Sequence, residues 1–126
     1  MSVVEYMKIN PTPLHTYFTK KGLTYYVVSL QTVEVAKCNS KSKKVTVPAT
    51  VNKGSVSYKV VSIGKKAFCG KKRLRGITLG KHIKTVKKDA FKKTPKLRKI
   101  VLKTSRLKSR KQLRKAGGGK VKIVRR

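Results

Sequence analysis

The side chains that could carry out catalysis are few and widely separated in this sequence of 126 residues. Its three carboxylates are Glu5, Glu34 and Asp89. Glycoside hydrolysis needs two carboxylates acting as a pair, and this scatter does not predict one. Cys69 and His82 could serve as a nucleophile and its base, but no third residue that would orient them is evident. Asp89 is better suited to begin a short turn at Ala90 and Phe91. The sequence therefore predicts no enzyme.

Metal and cofactor sites are not predicted either. Cys38 and Cys69 are far apart in the sequence and form no CxxC pair. His15 and His82 are isolated, so the closely spaced ligands of a zinc site are missing. The two cysteines could form a disulfide, although two free, partly buried thiols are favoured. The glycine run at residues 117–119 lacks the Lys-Ser/Thr ending of a phosphate-binding P-loop, so the expected cofactor content is none.

Positive charge dominates the composition. The chain has 35 Lys and Arg residues against three acids, a formal net charge of +32. Four of these bases lie within residues 1–40, and the remaining 31 share residues 41–126 with a single acid. Such a region repels itself at low ionic strength and attracts polyanions. A solvated coat of lysines with no specific ligand would have the same composition, so both interpretations stay open at this point.

A repeat of 23 residues underlies this basic composition. Six apolar residues between positions 63 and 79 recur 23 positions later. The pairs are Ile63 and Val86, Ala67 and Ala90, Phe68 and Phe91, Leu74 and Leu97, Ile77 and Ile100, and Leu79 and Leu102. A period of about 20–29 residues is typical of leucine-rich repeats, in which each repeat forms one coil of a solenoid. We therefore predict stacked coils with lysines at the exposed positions.

The repeat extends more weakly in both directions. An earlier coil precedes the next by 32 residues, and its apolar residues are Val45, Val47 and Val51. The additional length at residues 52–60 combines a turn sequence with alternating apolar residues, which predicts a β-hairpin bulging from the coil. At the other end, Val121 and Ile123 match Ile100 and Leu102 at an offset of 21, which predicts a degenerate terminal coil.

These patterns predict a mostly β repeat of the α/β type. Alternate residues of each L-x-x-I-x-L segment point inward, so short parallel strands should line one face of a right-handed solenoid. Short helical or 3-10 turns are expected on the opposite face, at residues 65–68 and 88–91. The predicted organisation is an arm at 1–22 and a repeat domain at 23–126. That domain would contain a strand cap at 23–40, a first coil with the hairpin at 41–62, full repeats at 63–85 and 86–107, and a degenerate cap at 108–126.

The sequence resembles the BspA-type leucine-rich repeat over about residues 22–126. The matching positions are Ile63, Gly64, Ala67, Phe68, Leu74, Ile77 and Leu79, and Pro48 occupies the proline position of the pattern. The resemblance implies a bacterial surface protein that functions in adhesion and in binding host or matrix proteins. The chain departs from the family at two places. The buried Cys of the pattern falls on Lys71 in one repeat and on Thr94 in the next, and Lys87 replaces Gly64.

Two surfaces are candidates for ligand binding. The first is the outward face of the predicted strands, the surface that leucine-rich repeats generally use for partners. Its residues are Lys44, Thr46, Thr78, Lys99, Val101, Lys103, Lys120 and Lys122, with Gly76 between them. The second is a polyanion strip on the turn side, within about one Debye length of 8 Å between coils. Its residues are Lys65, Lys66, Lys71, Lys72, Lys87, Lys88, Lys92 and Lys93. Simple solvation of exposed positions is the alternative for both.

Two functions therefore compete. The favoured one is a non-enzymatic adhesion module at the bacterial surface, whose partner is a protein or an anionic polymer such as teichoic acid or a sulfated glycan. The other is an intracellular, non-specific nucleic-acid-binding protein. Lys outnumbers Arg 27 to 8, and the bases are not interleaved with stacking aromatic residues as single-strand binders require, which disfavours the second. Because the first residues carry no secretory signal, we expect an exported location only as part of a longer protein, with a cytoplasmic location as the alternative. No membrane insertion is expected, and the oligomeric state stays open.

Overall fold

A computed structural model describes residues 15–105, 107, 113 and 121–126. Within these residues the chain forms ten short strands in two sheets. The strands are β1 (Tyr17–Lys20), β2 (Leu23–Val27), β3 (Thr32–Cys38), β4 (Lys44–Val47), β5 (Thr50–Lys53), β6 (Val56–Ile63), β7 (Gly76–Leu79), β8 (Thr85–Val86), β9 (Lys99–Leu102) and β10 (Lys122–Arg125).

Four parallel strands form the sheet that the repeat predicts, here called the repeat sheet. Its order is β4, β7, β9 and β10. Ile77 pairs with Ile100 at the predicted offset of 23, and Val45 pairs with Ile77 at the predicted offset of 32. The inward side chains of β4, β7 and β9 are buried, whereas the residues between them are exposed or half-buried. The mostly β class with a parallel sheet is therefore confirmed.

The predicted alignment of the last strand is wrong. β10 pairs with β9 at an offset of 23 and not 21, so that Ile123 lies beside Ile100 and Arg125 beside Leu102. A shift of two residues leaves the inward and outward faces of a strand unchanged, so both registers satisfy the alternation, and apolar matching alone favours the offset of 21. Hydrogen bonding to β9 decides the register: the amide of Lys122 donates to the carbonyl of Arg98 at 2.7 Å.

The second sheet is built from β1, β2, β3, β6 and β5 in that order, with β8 also pairing with β6. β5 and β6 form the predicted hairpin around Gly54, whose φ is +60°. The hairpin does not bulge from the coil, because β6 continues as a parallel partner of both β3 and β8. The coils of β4 and β7 thus contribute to both sheets, through β5 and β6 in the first and β8 in the second. The buried apolar side chains form one core.

The predicted arm at residues 1–22 contains a strand. β1 pairs antiparallel with β2, and Phe18 is buried against the rings of Tyr25 and Tyr58 at centroid distances of 5.4 and 6.0 Å. Burial also raises the pKa of Tyr25 to about 12. The remainder of the predicted arm, residues 1–14, lies outside the described residues. Most of the predicted cap at 108–126 does too, and the domain boundaries stay predictions.

The turn side stacks as predicted but is not helical. Phe68 and Phe91 are fully buried and their rings are stacked at 5.3 Å. The expected helical or 3-10 turns are wrong: residues 65–70 and 88–93 are turns, and no helical segment is found in them. Lys66 and Asp89 both have a φ of 59°, and one left-handed residue interrupts a right-handed helical run. The right-handed winding of the coils remains a prediction from the crossover rule.

Two further features concern the whole described chain. Cys38 and Cys69 are free, the first buried and the second half-buried, in agreement with the favoured expectation. None of the described segments is a helix with the length and apolar character that crossing a membrane requires.

Candidate binding surface

The repeat sheet places the predicted strand-face residues in two straight rows. One row crosses the four strands at Lys44, Gly76, Lys99 and Lys122. The neighbouring row contains Thr46, Thr78, Val101 and Val124. Adjacent strands in a sheet are about 4.8 Å apart, so Lys99 and Lys122 lie one strand spacing apart, and Lys44 lies two spacings from Lys99 across Gly76. All three lysines are exposed, and the row presents a line of cations across the coils.

A shallow groove lies in this face at Gly76. It has a volume of about 200 Å³ and is lined by Lys44, Thr46, Thr78, Lys99 and Val101, among others. The groove exists because β7 contributes Gly76 to this row, and glycine has no side chain. A Cβ at Gly76 would meet nothing closer than 3.8 Å, so the backbone here does not require glycine. A larger side chain at position 76 would therefore fill the groove without displacing its neighbours.

A second row of cations, which the sequence-based prediction did not include, lies beside the lysine row. Lys43, Arg75 and Arg98 stand one residue before the lysine row, at the corner where each coil enters the repeat sheet. Their backbones are connected, since Arg75 N donates to Lys43 O at 2.7 Å and Arg98 N to Arg75 O at 2.9 Å. All three side chains are exposed. The signal was present in the sequence, because Arg75 and Arg98 share one repeat position.

The last two strand-face predictions have different outcomes. Lys103 is exposed directly after β9, and its amide donates to Leu79 O at 3.0 Å. Lys120 lies outside the described residues. Because the register of β10 differs from the prediction, Lys122 and not Lys120 continues the row of Lys99.

The polyanion strip is less uniform than predicted. Six of its eight lysines are exposed: Lys65, Lys66, Lys72, Lys88, Lys92 and Lys93. Lys87 is different, because its ammonium forms an ion pair with Glu34 at 2.8 Å, and Ser62 also donates to that carboxylate at 2.7 Å. Lys71 is half-buried. The strip is therefore broken at Lys87.

The replacement of Gly64 by Lys87 has a structural reason. A Cβ at Gly64 would lie 2.9 Å from Val35 O and 3.2 Å from the Glu34 carboxylate, so that position requires glycine. One coil later, Lys87 is half-exposed and extends back to Glu34. Glu34, one of the three acids of the chain, is thus paired with a lysine of a later coil. Asp89 lies within a turn, and the described residues hold no group of three His, Cys, Asp or Glu that could bind a metal.

Comparison with known proteins agrees with this geometry. Residues 48–113, just over half of the chain, match the model of the BspA type leucine rich repeat region in six copies. A search of curated proteins finds no match. A leucine-rich repeat protein from Bacteroides ovatus is similar in structure, with a TM-score of 0.73 and 25% identity. A leucine rich cell surface protein from Faecalibacterium prausnitzii has a TM-score of 0.65 and 21% identity.

Coverage differs among these structures. The match covers 84% of this chain and 28% of the Bacteroides ovatus protein, and 91% of this chain and 27% of the Faecalibacterium protein. The chain thus spans less than a third of the length of either. A leucine-rich repeat protein from Bacteroides capillosus, 16% identical with a TM-score of 0.62, is covered over 98% of its length, against 87% of this chain. Together with the stacked coils, the family match shows that the chain belongs to the BspA-type leucine-rich repeat family.

Proposed function

We propose that this chain is a non-enzymatic binding module of a bacterial cell-surface protein, and that it contacts anionic polymers through the strand face of the repeat sheet. The observation that supports this most is the in-register row of Lys44, Lys99 and Lys122 beside the corner row of Lys43, Arg75 and Arg98. No acid lies in either row. A surface location is supported by the structural similarity to the Faecalibacterium protein, which is a leucine rich cell surface protein.

The strand face suits a linear polyanion better than a compact one. Its cations repeat along the axis on which the coils stack, so a chain lying along that axis meets a new coil about every 4.8 Å. Binding of this kind releases counterions, and its affinity therefore falls steeply with salt. The groove at Gly76 adds a concave place in an otherwise flat face.

The test compares two variants with the same net charge. In one, Lys44, Lys99 and Lys122 are changed to Ala. In the control, three exposed lysines of the turn side are changed to Ala: Lys88, Lys92 and Lys93. Binding of teichoic acid and of heparin is measured across NaCl concentrations. The strand-face variant should lower the slope of log affinity against log salt by about three, roughly one per lysine, with a smaller change for the control.

Two results would contradict the proposal. Equal losses for the two triple variants would mean that binding follows net charge alone and has no preferred face. Tight binding of DNA that persists at high salt and depends on base sequence would favour the nucleic-acid alternative. If the chain bound an acidic host protein but neither polymer, it would still be a binding module, but its partner would be a protein and the assignment to anionic polymers would be wrong.

A further inference from the structure

A pocket of about 350 Å³ lies between the first two coils, on the side where the chain approaches the repeat sheet. One wall is the segment between β3 and β4, which contributes Cys38, Ser40, Lys41 and Ser42. The other wall is residues 70–74, immediately before β7. The two walls are joined below the pocket, where Arg75 N donates to Lys43 O at 2.7 Å.

The pocket exists because the first coil lacks the leucine of the repeat. Residues of β4 pair with residues of β7 that lie 32 positions later in the sequence. The hydrogen bond from Arg75 N to Lys43 O shows that the same offset holds one residue before the two strands. At this offset Ser42 corresponds to Leu74, and Leu74 and Leu97 are both fully buried. Ser42 is instead exposed, and its hydroxyl donates to Lys44 O at 2.9 Å. A small polar side chain therefore stands where the other coils place a large apolar one.

The facing wall carries a second replacement, at Lys71. One repeat later the same position is Thr94, which is buried and whose hydroxyl donates to Phe91 O at 2.6 Å. Lys71 is half-buried at this inward position and lines the pocket with three other cations. The four are Lys41, Lys71, Lys72 and Arg73. No carboxylate is among the described residues that line the pocket.

A half-buried positive charge such as that of Lys71 forms strong hydrogen bonds with an anion placed beside it. Here the described walls supply four cations and the hydroxyl of Ser40, since the hydroxyl of Ser42 already donates to Lys44 O. The buried residues Cys38 and Leu74 complete the lining. Ser40 and Ser42 are held in place by a bond from Ser42 N to the Ser40 hydroxyl at 3.1 Å. Charged and hydroxyl donors converging on one concave site form the donor set that a tetrahedral oxyanion needs. We infer that this pocket binds a phosphate group, most favourably the dianionic group of a phosphate monoester.

This site is separate from the strand face, so the two can fail independently. The probe is inorganic phosphate, titrated in a NaCl background and followed through the backbone amide resonances of the whole chain. We expect saturable shifts concentrated at residues 40–42 and 71–74. Shifts spread over the turn-side lysines without saturation would mean a diffuse ion atmosphere, and the pocket assignment would be wrong.

Two variants test the cause of binding. Ser42→Leu restores the repeat leucine, fills the pocket and leaves the net charge unchanged, so phosphate binding should be lost. Lys71→Thr introduces the residue of the next repeat and should weaken binding by about tenfold or more, as expected for one charge-assisted hydrogen bond. Lys88→Thr removes the same charge from an exposed turn and should change binding by less than about twofold. Retained binding in Ser42→Leu, or equal losses in the two lysine variants, would overturn the inference.

The chemical source of the oxyanion is tested with two esters. Glycerol phosphate and a monosaccharide sulfate both present a tetrahedral group, but the phosphate ester carries a second negative charge near neutral pH. Four cations should therefore favour glycerol phosphate in the wild-type chain, and this preference should disappear in Ser42→Leu. Tighter binding of the sulfate ester would contradict the assignment to a phosphate group. Loss of polymer binding in the strand-face triple variant would leave all of these expectations unchanged.

Discussion

At the scale of single residues, the turn side shows how one repeat position is occupied in two ways. Gly70 and Lys93 are 23 residues apart, and both have a positive φ, of 76° and 59° respectively. Glycine adopts this left-handed conformation freely, whereas a side chain with a Cβ carries a steric cost of about 1–2 kcal/mol. The chain therefore tolerates a strained lysine at a place where its own preceding coil uses glycine.

Replacing Lys93 with glycine should stabilise the protein. The left-handed strain disappears, which outweighs the larger entropy of glycine in the unfolded chain, and we expect a gain of about 0.5–1 kcal/mol in the free energy of unfolding. The control is Lys92→Gly, which removes the same charge at a neighbouring position without a positive φ and should lower stability. Chemical denaturation of both variants measures the difference. Equal effects would show that charge and not backbone conformation controls stability here.

At the scale of the elements, coils pack most closely where a strand ends. Gly80 follows β7, and a Cβ at this residue would lie 2.7 Å from Ala49 N and from the Pro48 carbonyl carbon. Both atoms belong to the backbone of the preceding coil, so neither can move aside independently. The absence of a side chain at Gly80 therefore permits this close approach of the first two coils.

Gly80→Ala should destabilise the chain by about 1–3 kcal/mol, because the added methyl group must push two backbones apart. Gly76→Ala is the matched control on the same strand: its Cβ would have no neighbour closer than 3.8 Å, so its effect should stay below about 1 kcal/mol. Thermal and denaturant unfolding of the two variants provides the comparison. Equal stability of the two variants would show that the close approach at Gly80 is not a constraint.

At the scale of the whole molecule, the chain carries 35 Lys and Arg residues against three acids. The bases of neighbouring coils lie on rows that the strand register aligns, as Lys44, Lys99 and Lys122 do. The ion pair between Lys87 and Glu34 offsets little of this charge. Repulsion between coils must therefore oppose the burial of the apolar core.

Salt should raise the melting temperature by screening this repulsion. Between about 0.01 M and 1 M NaCl the Debye length shortens from about 30 Å to about 3 Å. If screening restores about 1 kcal/mol, the melting temperature should rise by about 4–8 °C. NaCl is preferred to sulfate or phosphate, because an anion bound in the pocket would stabilise the fold by itself. A melting temperature that is constant over this range would show that the charges do not couple between coils.

The sequence by itself determined the repeat sheet and its core. Apolar residues that return every 23 positions can be buried only if the backbone stacks with that period, so the pairs of Ile77 with Ile100 and Phe68 with Phe91 follow from the pattern. The outward position of Lys44 and Lys99 follows as well, because alternate strand residues face opposite sides.

Only the tertiary structure decided the features that depend on contacts between coils. The register of β10 is one, since a shift of two residues satisfies the same alternation and hydrogen bonding to β9 selects between the two. The ion pair of Lys87 with Glu34 and the pocket between Ser42 and Lys71 are others. They join residues far apart in sequence whose distances no local pattern encodes. A period fixes which residues are equivalent, but the spaces and pairings between equivalent coils arise only when those coils are packed.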